Sequence, residues 1–130
     1  MIKEIFHVPG LSDALKKANV PLSAVVRGGG LVFVSGIPPL DPKTGKLITA
    51  DIAAQTDMCL QNVKLCLEAA GSSLDKVLKC TVLITNSAHF ETVNGVYRGY
   101  FDHDAPARTF CTVGSWPWPF DIEVECIALA

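Results

Sequence analysis

The chain has 130 residues, a net charge of −2, and only 18% charged against 49% hydrophobic residues, which fits one domain spanning residues 1–130 with a sizeable core. Its lysines and arginines are scattered and form no stripe that would follow a phosphate backbone, so nucleic acid is not an expected partner. No apolar run reaches the roughly 18 residues of a membrane span, and the opening MIKEIFHVPG lacks the zones of a signal peptide, which makes the cytoplasm the expected compartment and a membrane an unexpected partner.

The charged fraction lies below the roughly 25% usual for soluble domains. A small domain has much surface to solvate, so part of this one is expected to be buried against further copies of the chain. Along the chain, Ile2 to Val8 alternates as an edge strand and Pro9-Gly10 breaks it. LSDALKKANV reads equally as a short helix or a loop. Ser23 to Arg27 and Leu31 to Ser35 are two strands joined at Gly28 to Gly30, and DPKTGK is a further turn.

From Ile52, the residues Cys59, Val63, Cys66, Leu67 and Ala70 follow helical spacing, and Gly71 supplies the stop. Val77 to Thr85 is a β-branched strand. Phe90, Val93, Val96, Tyr97 and Phe101 mark a second helix over Ala88 to Phe101. Arg108 to Val113 and Asp121 to Leu129 are expected to complete the sheet across the Trp116-Pro117-Trp118-Pro119 turn. The order predicts an α+β sandwich, with two helices on one face of a mixed sheet and the other face packed on copies of itself.

The five cysteines form no CxxC pair and no knuckle with the three histidines, so reduced core thiols are expected and no metal site. Asp102, His103 and Asp104 crowd a short loop that reads as solvated polarity. Neither Gly28 to Gly30 nor Gly45-Lys46 continues as a phosphate-binding loop. In DIEVECIALA, Asp121, Glu123 and Glu125 share one strand face and Ile122, Val124 and Cys126 the other. The acids are a solvated face unless that face is covered, in which case a buried glutamate needs a partner or a shifted pKa. Arg108 reads either as a salt-bridge residue or as a clamp for a substrate carboxylate, whose two oxygens match the guanidinium fork. A clamp and a nearby glutamate suit hydrolysis of a C=N bond in a small imino acid, with no metal, cofactor or covalent nucleophile required.

LVFVSG, DPKTGKL, DIAAQT, NVKLCLEAAGSSLDKVLKCTV, FETVNGVYRGYF, APART and IEVECIA together resemble, in order, the Rid (YjgF-like) family of 2-imino/2-enamino acid deaminases. The resemblance implies a chorismate-mutase-like fold and a homotrimer with a central barrel and three ligand clefts between subunits. It assigns carboxylate binding to Arg108 in PAR, water activation to Glu123, and ligand contacts to Ser35, Gly36 and Asn94. Three positions depart from the family pattern: Leu22 replaces a tyrosine, Ile37 a glutamine and Phe110 a cysteine, which makes the implied pocket more apolar. The alternative from another class is a non-catalytic trimer that binds small carboxylates or a regulatory partner. A family-derived ribonuclease reading lacks a basic stripe to support it.

Overall fold

The computed structural model describes residues 2–130. Eight strands and three α-helices follow one another as β1 (Glu4–Phe6), α1 (Leu11–Lys17), β2 (Val25–Gly28), β3 (Leu31–Ile37), β4 (Leu40–Asp41), β5 (Lys46–Leu47), α2 (Ile52–Ala69), β6 (Val77–Ile84), α3 (Phe90–Tyr100), β7 (Ala107–Thr112) and β8 (Ile122–Leu129). Six strands form one mixed sheet in the order β1-β2-β3-β8-β6-β7, and β4 and β5 form a separate hairpin. No helix among the described residues is long and apolar enough to cross a membrane.

The long helix α2 starts where the Asp51 carboxylate accepts from the Ala54 amide at 2.9 Å, satisfying one of the free N–H groups of the first turn. It ends in a Schellman motif, with the Ser72 amide donating to Leu67 and that of Gly71 to Glu68. Between these caps Cys59, Leu60, Val63, Cys66 and Leu67 are fully buried. They lie over Val32 and Val34 of β3, Cys80 and Val82 of β6, and Ile122, Val124 and Cys126 of β8, all buried in the same core. At roughly 1.5–3 kcal/mol for each large side chain removed from water, this helix-covered face is the main source of stability.

Because directly opposed residues in a sheet share a face, register sorts the side chains into rows. Arg108, Cys80, Cys126 and Val34 form one row, and Phe110, Val82, Val124 and Ile37 the next. Both face the helices. Thr109, Thr81 and Glu125 form a row on the other face, as do Cys111, Leu83 and Glu123. That open face also carries Phe33 and Leu129, which are 43% and 48% exposed. Between Val34 and Ile37 the register of β3 against β8 shifts by one residue, a β-bulge formed by Ser35 and Gly36.

Three expectations need correction. There are three α-helices, since LSDALKK forms α1. The last two strands are not neighbours across the Trp-Pro turn: β6 lies between them, antiparallel to β8 and parallel to β7. A parallel pair needs a long crossover, and α3 supplies it between β6 and β7. The first strand is also shorter than Ile2 to Val8, and Val8 instead joins the core.

The start of α1 is fixed to the β4–β5 turn. At Gly10 the backbone has φ of +83°, and a Cβ there would lie 2.2 Å from the Pro42 carbonyl oxygen. Gly45 has a similar φ of +73° with nothing within 4 Å. Gly45→Ala therefore carries only the conformational cost, about 1 kcal/mol, whereas Gly10→Ala is expected to cost at least about 2 kcal/mol more because backbone must move. Urea unfolding of both variants at equal protein concentration checks this, and equal losses would exclude the contact.

Candidate functional site

Arg108 stands second in β7, on an edge of the sheet, and its side chain turns toward α3. The guanidinium carbon lies 4.9 Å from the centre of the Tyr97 ring and 5.3 Å from that of Phe110. Phe110 meets Phe90, the first residue of α3, edge to face at 4.9 Å. Cation–π contacts of this kind hold a guanidinium in place at about 0.5–2 kcal/mol while leaving its N–H groups unspent. Among the described residues Arg108 has no carboxylate within ion-pair distance. Its charge lowers the pKa values of the adjacent Cys80 thiol and Tyr97 hydroxyl, although burial outweighs it and leaves both raised.

Asn94 precedes Tyr97 by three residues, which places both on one side of α3. Its amide oxygen and the Tyr97 hydroxyl are buried without a hydrogen-bond partner. Such orphaned groups cost free energy unless something satisfies them. The arrangement is an aromatic ledge carrying one unpaired cation, bordered by unsatisfied polar atoms.

Glu123 is built on the other face. The β3 bulge removes a side chain where one would otherwise stand: an ideal Cβ on Gly36 would come 2.7 Å from the Glu123 Oε1. Glycine lets the carboxylate hold this position, and a larger residue would push the end of the Glu123 side chain aside. Ser35 is anchored by its hydroxyl donating to the Ser23 carbonyl at 2.6 Å and by its amide donating to Ala24. Behind the strands, the fully buried Cys59 thiol lies 3.6 Å from the Ile37 carbonyl oxygen and 3.5 Å from that of Ile122. It ties the bulge to the residue preceding Glu123. Partial burial, with the like charge of Glu125 as a smaller cause, pushes the Glu123 carboxyl up from 4.5 to about 7. Burial, with Glu123 as the smaller cause, also raises the Cys59 thiol.

The two groups singled out in the sequence therefore lie on opposite faces of one sheet, with β6 between their strands. One copy of the chain does not bring Arg108 and Glu123 to a single small ligand. Ser35 and Gly36 gather with Glu123, whereas Asn94 and Phe110 gather with Arg108. Leu22 is 41% exposed and lines a shallow groove with Ile5, Phe6 and Val20 that contains no part of either group. Tyr97, Phe90 and Cys59 were not anticipated as parts of the site. Tyr97 had a signal in its spacing from Asn94, but the other two depend on tertiary contact. No cluster of three His, Cys, Asp or Glu side chains among the described residues is placed to hold a metal ion.

Comparison with known proteins settles the lineage. The family described as Endoribonuclease L-PSP matches residues 12–130. The 2-iminobutanoate/2-iminopropanoate deaminase of Escherichia coli K12 is 38% identical over 127 residues, covering 92% of this chain and 98% of that one. A Yersinia pestis structure of unknown function, described as belonging to the conserved Rid protein family, superposes with a TM-score of 0.91. It is 33% identical over 99% of this chain and 100% of the other. The chain belongs to the Rid family. The structure of Escherichia coli TdcF with bound serine has a TM-score of 0.79 at 39% identity, covering 85% of this chain and 88% of that one.

The three positions set apart in the sequence, Leu22, Ile37 and Phe110, have different structural outcomes. Ile37 is fully buried on the helix side, so the core absorbs that change. Leu22 changes an exposed loop. Phe110 alters the surroundings of Arg108 directly, because its ring forms half of the ledge.

The raised Glu123 pKa has a signed consequence. The folded state holds this proton more tightly than the unfolded chain does, so the contribution to stability is full below about 4.5 and is lost as pH rises through about 7. Glu123→Gln is expected to flatten the stability profile across that window. Carboxyl NMR should place the Glu123 titration near 7, and Glu125→Gln should move it down by less than burial moved it up. A titration near the ordinary glutamate value would contradict the burial described here.

Proposed function

We propose that the chain hydrolyses the C=N bond of 2-imino acids, releasing ammonia and a 2-oxo acid, at clefts where Arg108 of one copy meets Glu123 of a neighbour in a homotrimer. The observation that carries this reading is the unpaired Arg108 guanidinium on its aromatic ledge. Two further features support it: burial pushes the Glu123 carboxyl up to about 7, and Arg108 and Glu123 face opposite sides of a sheet whose open face exposes the apolar Phe33 and Leu129. A relative named for 2-iminobutanoate/2-iminopropanoate deamination and a neighbour solved with bound serine fit the same chemistry.

In this mechanism Arg108 pairs with the substrate carboxylate through two parallel N–H donors. Backbone groups at Ser35 and Gly36 line the cleft beside Glu123. Ionised Glu123 accepts a proton as water adds its oxygen to the imine carbon, and the C=N π pair moves to nitrogen. The protonated acid returns that proton to the nitrogen. Glu123 then takes the hydroxyl proton of the carbinolamine and passes it to the amino nitrogen, and as an oxygen pair forms the C=O bond the C–N bond breaks and ammonia leaves with the bonding pair. A carboxyl near pH 7 suits both directions of transfer, a contribution of about 10²–10⁴ in rate. Phe90 and Phe110 favour an imine with an apolar side chain. A phosphodiester substrate would call for a cationic track along its strand, whereas Arg108 is a single guanidinium set among rings.

Imines generated in place by an amino acid oxidase provide the assay, read as ammonia release above the uncatalysed background. Arg108→Ala is expected to lower kcat/KM roughly 10- to 100-fold, the equivalent of a charge-assisted bond. Glu123→Gln should lower kcat more than it changes KM, and wild-type kcat/KM should fall as pH drops below about 7. Mixing the two variants during refolding tests the division between copies: every mixed trimer should regain about one working cleft in three. Silence in the mixture, with trimers formed, would place both groups in one copy's site, and no acceleration by wild type on any imine would overturn the reading.

A further inference from the structure

A second concavity lies apart from Arg108 and Glu123. Between α1, the β4–β5 hairpin and the Trp turn is a cavity of about 320 Å³, at the small end of the range for small-molecule sites. Leu15, Val20, Leu40, Leu47, Trp118 and Phe120 give it an apolar interior. Its walls are held from behind. The Asn62 amide donates to the Leu40 carbonyl at 2.7 Å, and the start of α1 abuts Pro42 through the bare backbone of Gly10. Phe120, 4% exposed, stacks on Trp116 at 4.6 Å. These contacts fix the hairpin and Phe120 walls, while Trp118, 48% exposed, forms the rim.

The cavity opens onto a neighbouring groove with which it shares Ala14, Ala18, Gly45 and Lys46. That groove adds Lys17 from α1 and Lys43 from the hairpin. None of these three lysines makes an ion pair among the described residues. The one acid in the groove, Asp13, is already engaged: one oxygen accepts from the Gly10 amide at 3.0 Å, and the other lies 3.5 Å from the His7 imidazole. An apolar cavity thus ends at three lysines that outnumber the two acids beside them, Asp13 in the groove and Asp41 opposite Lys46 in the hairpin. This net positive border suits a molecule with a hydrocarbon body and an anionic head.

We infer that this cavity is a second binding site, for a small amphipathic carboxylate whose apolar chain or ring fills the space between Leu15, Leu47 and Trp118 and whose carboxylate meets Lys46. The inference stands on the cavity and its lysines and does not depend on the chemistry assigned to Arg108 and Glu123. A short-chain carboxylate suits the limited volume, and the hydrocarbon is expected to supply most of the affinity, because exposed lysine pairs contribute little individually.

Octanoate titrated into the full chain, followed by calorimetry and by tryptophan fluorescence, tests it. Octanoate is expected to bind at least about 10-fold more tightly than octylamine or acetate. Ala14→Phe, which fills the chamber, should weaken octanoate at least about 10-fold. Lys46→Glu, at an exposed position, should narrow or reverse the preference between octanoate and octylamine while the fold is retained. Arg108→Ala should leave octanoate binding unchanged. Loss of binding in Arg108→Ala with retention in Ala14→Phe would assign the ligand to the other site and overturn the inference. So would octylamine binding as tightly as octanoate, or no binding by wild type, the result expected if a second copy of the chain covers the mouth.

Discussion

The alternation of side chains across a strand, with one face of the sheet committed to α2 and α3, is the constraint from which the rest of this structure follows. Once Ile122, Val124 and Cys126 face the helices, Glu123 must face away from them. Once β7 joins β6 in parallel with Arg108 opposite Cys80, the arginine must face toward them. A slip of one residue in either strand would exchange core for open face. The same arithmetic leaves Phe33 and Leu129 on a face with no helix over it, and it places an acid where partial burial raises its proton affinity.

Much of the architecture was legible because it is local. Helix α2 was visible in the spacing of Cys59, Val63, Cys66 and Leu67, and the two-faced character of β8 in the alternation of DIEVEC. Strand pairing was harder. The Trp116 to Pro119 turn suggested that its flanking strands were partners, and nothing local reveals that β6 inserts between them, since parallel pairing is settled by a crossover many residues long. For LSDALKKANV the sequence left helix and loop open, and the fold chose a short helix because Leu11 and Leu15 reach the core.

The candidate site divides along the same line. Arg108, Glu123, Gly36 and Asn94 stood out through family resemblance, and the type of chemistry through the pairing of an arginine with a glutamate. The ledge beneath Arg108 did not, because Tyr97 and Phe90 reach it only through the packing of α3 against β7. Ile37 shows the opposite effect: a residue next to the bulge was expected in the pocket, but the extra residue in β3 turns its side chain into the core. Cys59, Cys66, Cys80 and Cys126 lie in the core as expected, but Cys111, expected there too, is exposed because it stands on the open face of the edge strand β7. Of the enclosed thiols, Cys59 is distinctive in lying against two strand carbonyls beside the bulge.

The close approach of Gly36 to Glu123 also couples substitutions at the two positions. With the carboxylate oxygen 2.7 Å from where a Cβ would stand, alanine at position 36 would push the end of the Glu123 side chain aside, so a change there keeps the acid but moves its oxygen. The reverse order is open: shortening or removing the acid first empties the space, and position 36 can then grow at little steric cost. Once a larger residue has filled the gap, a restored glutamate would carry its carboxylate elsewhere, so recovering the original placement takes both changes.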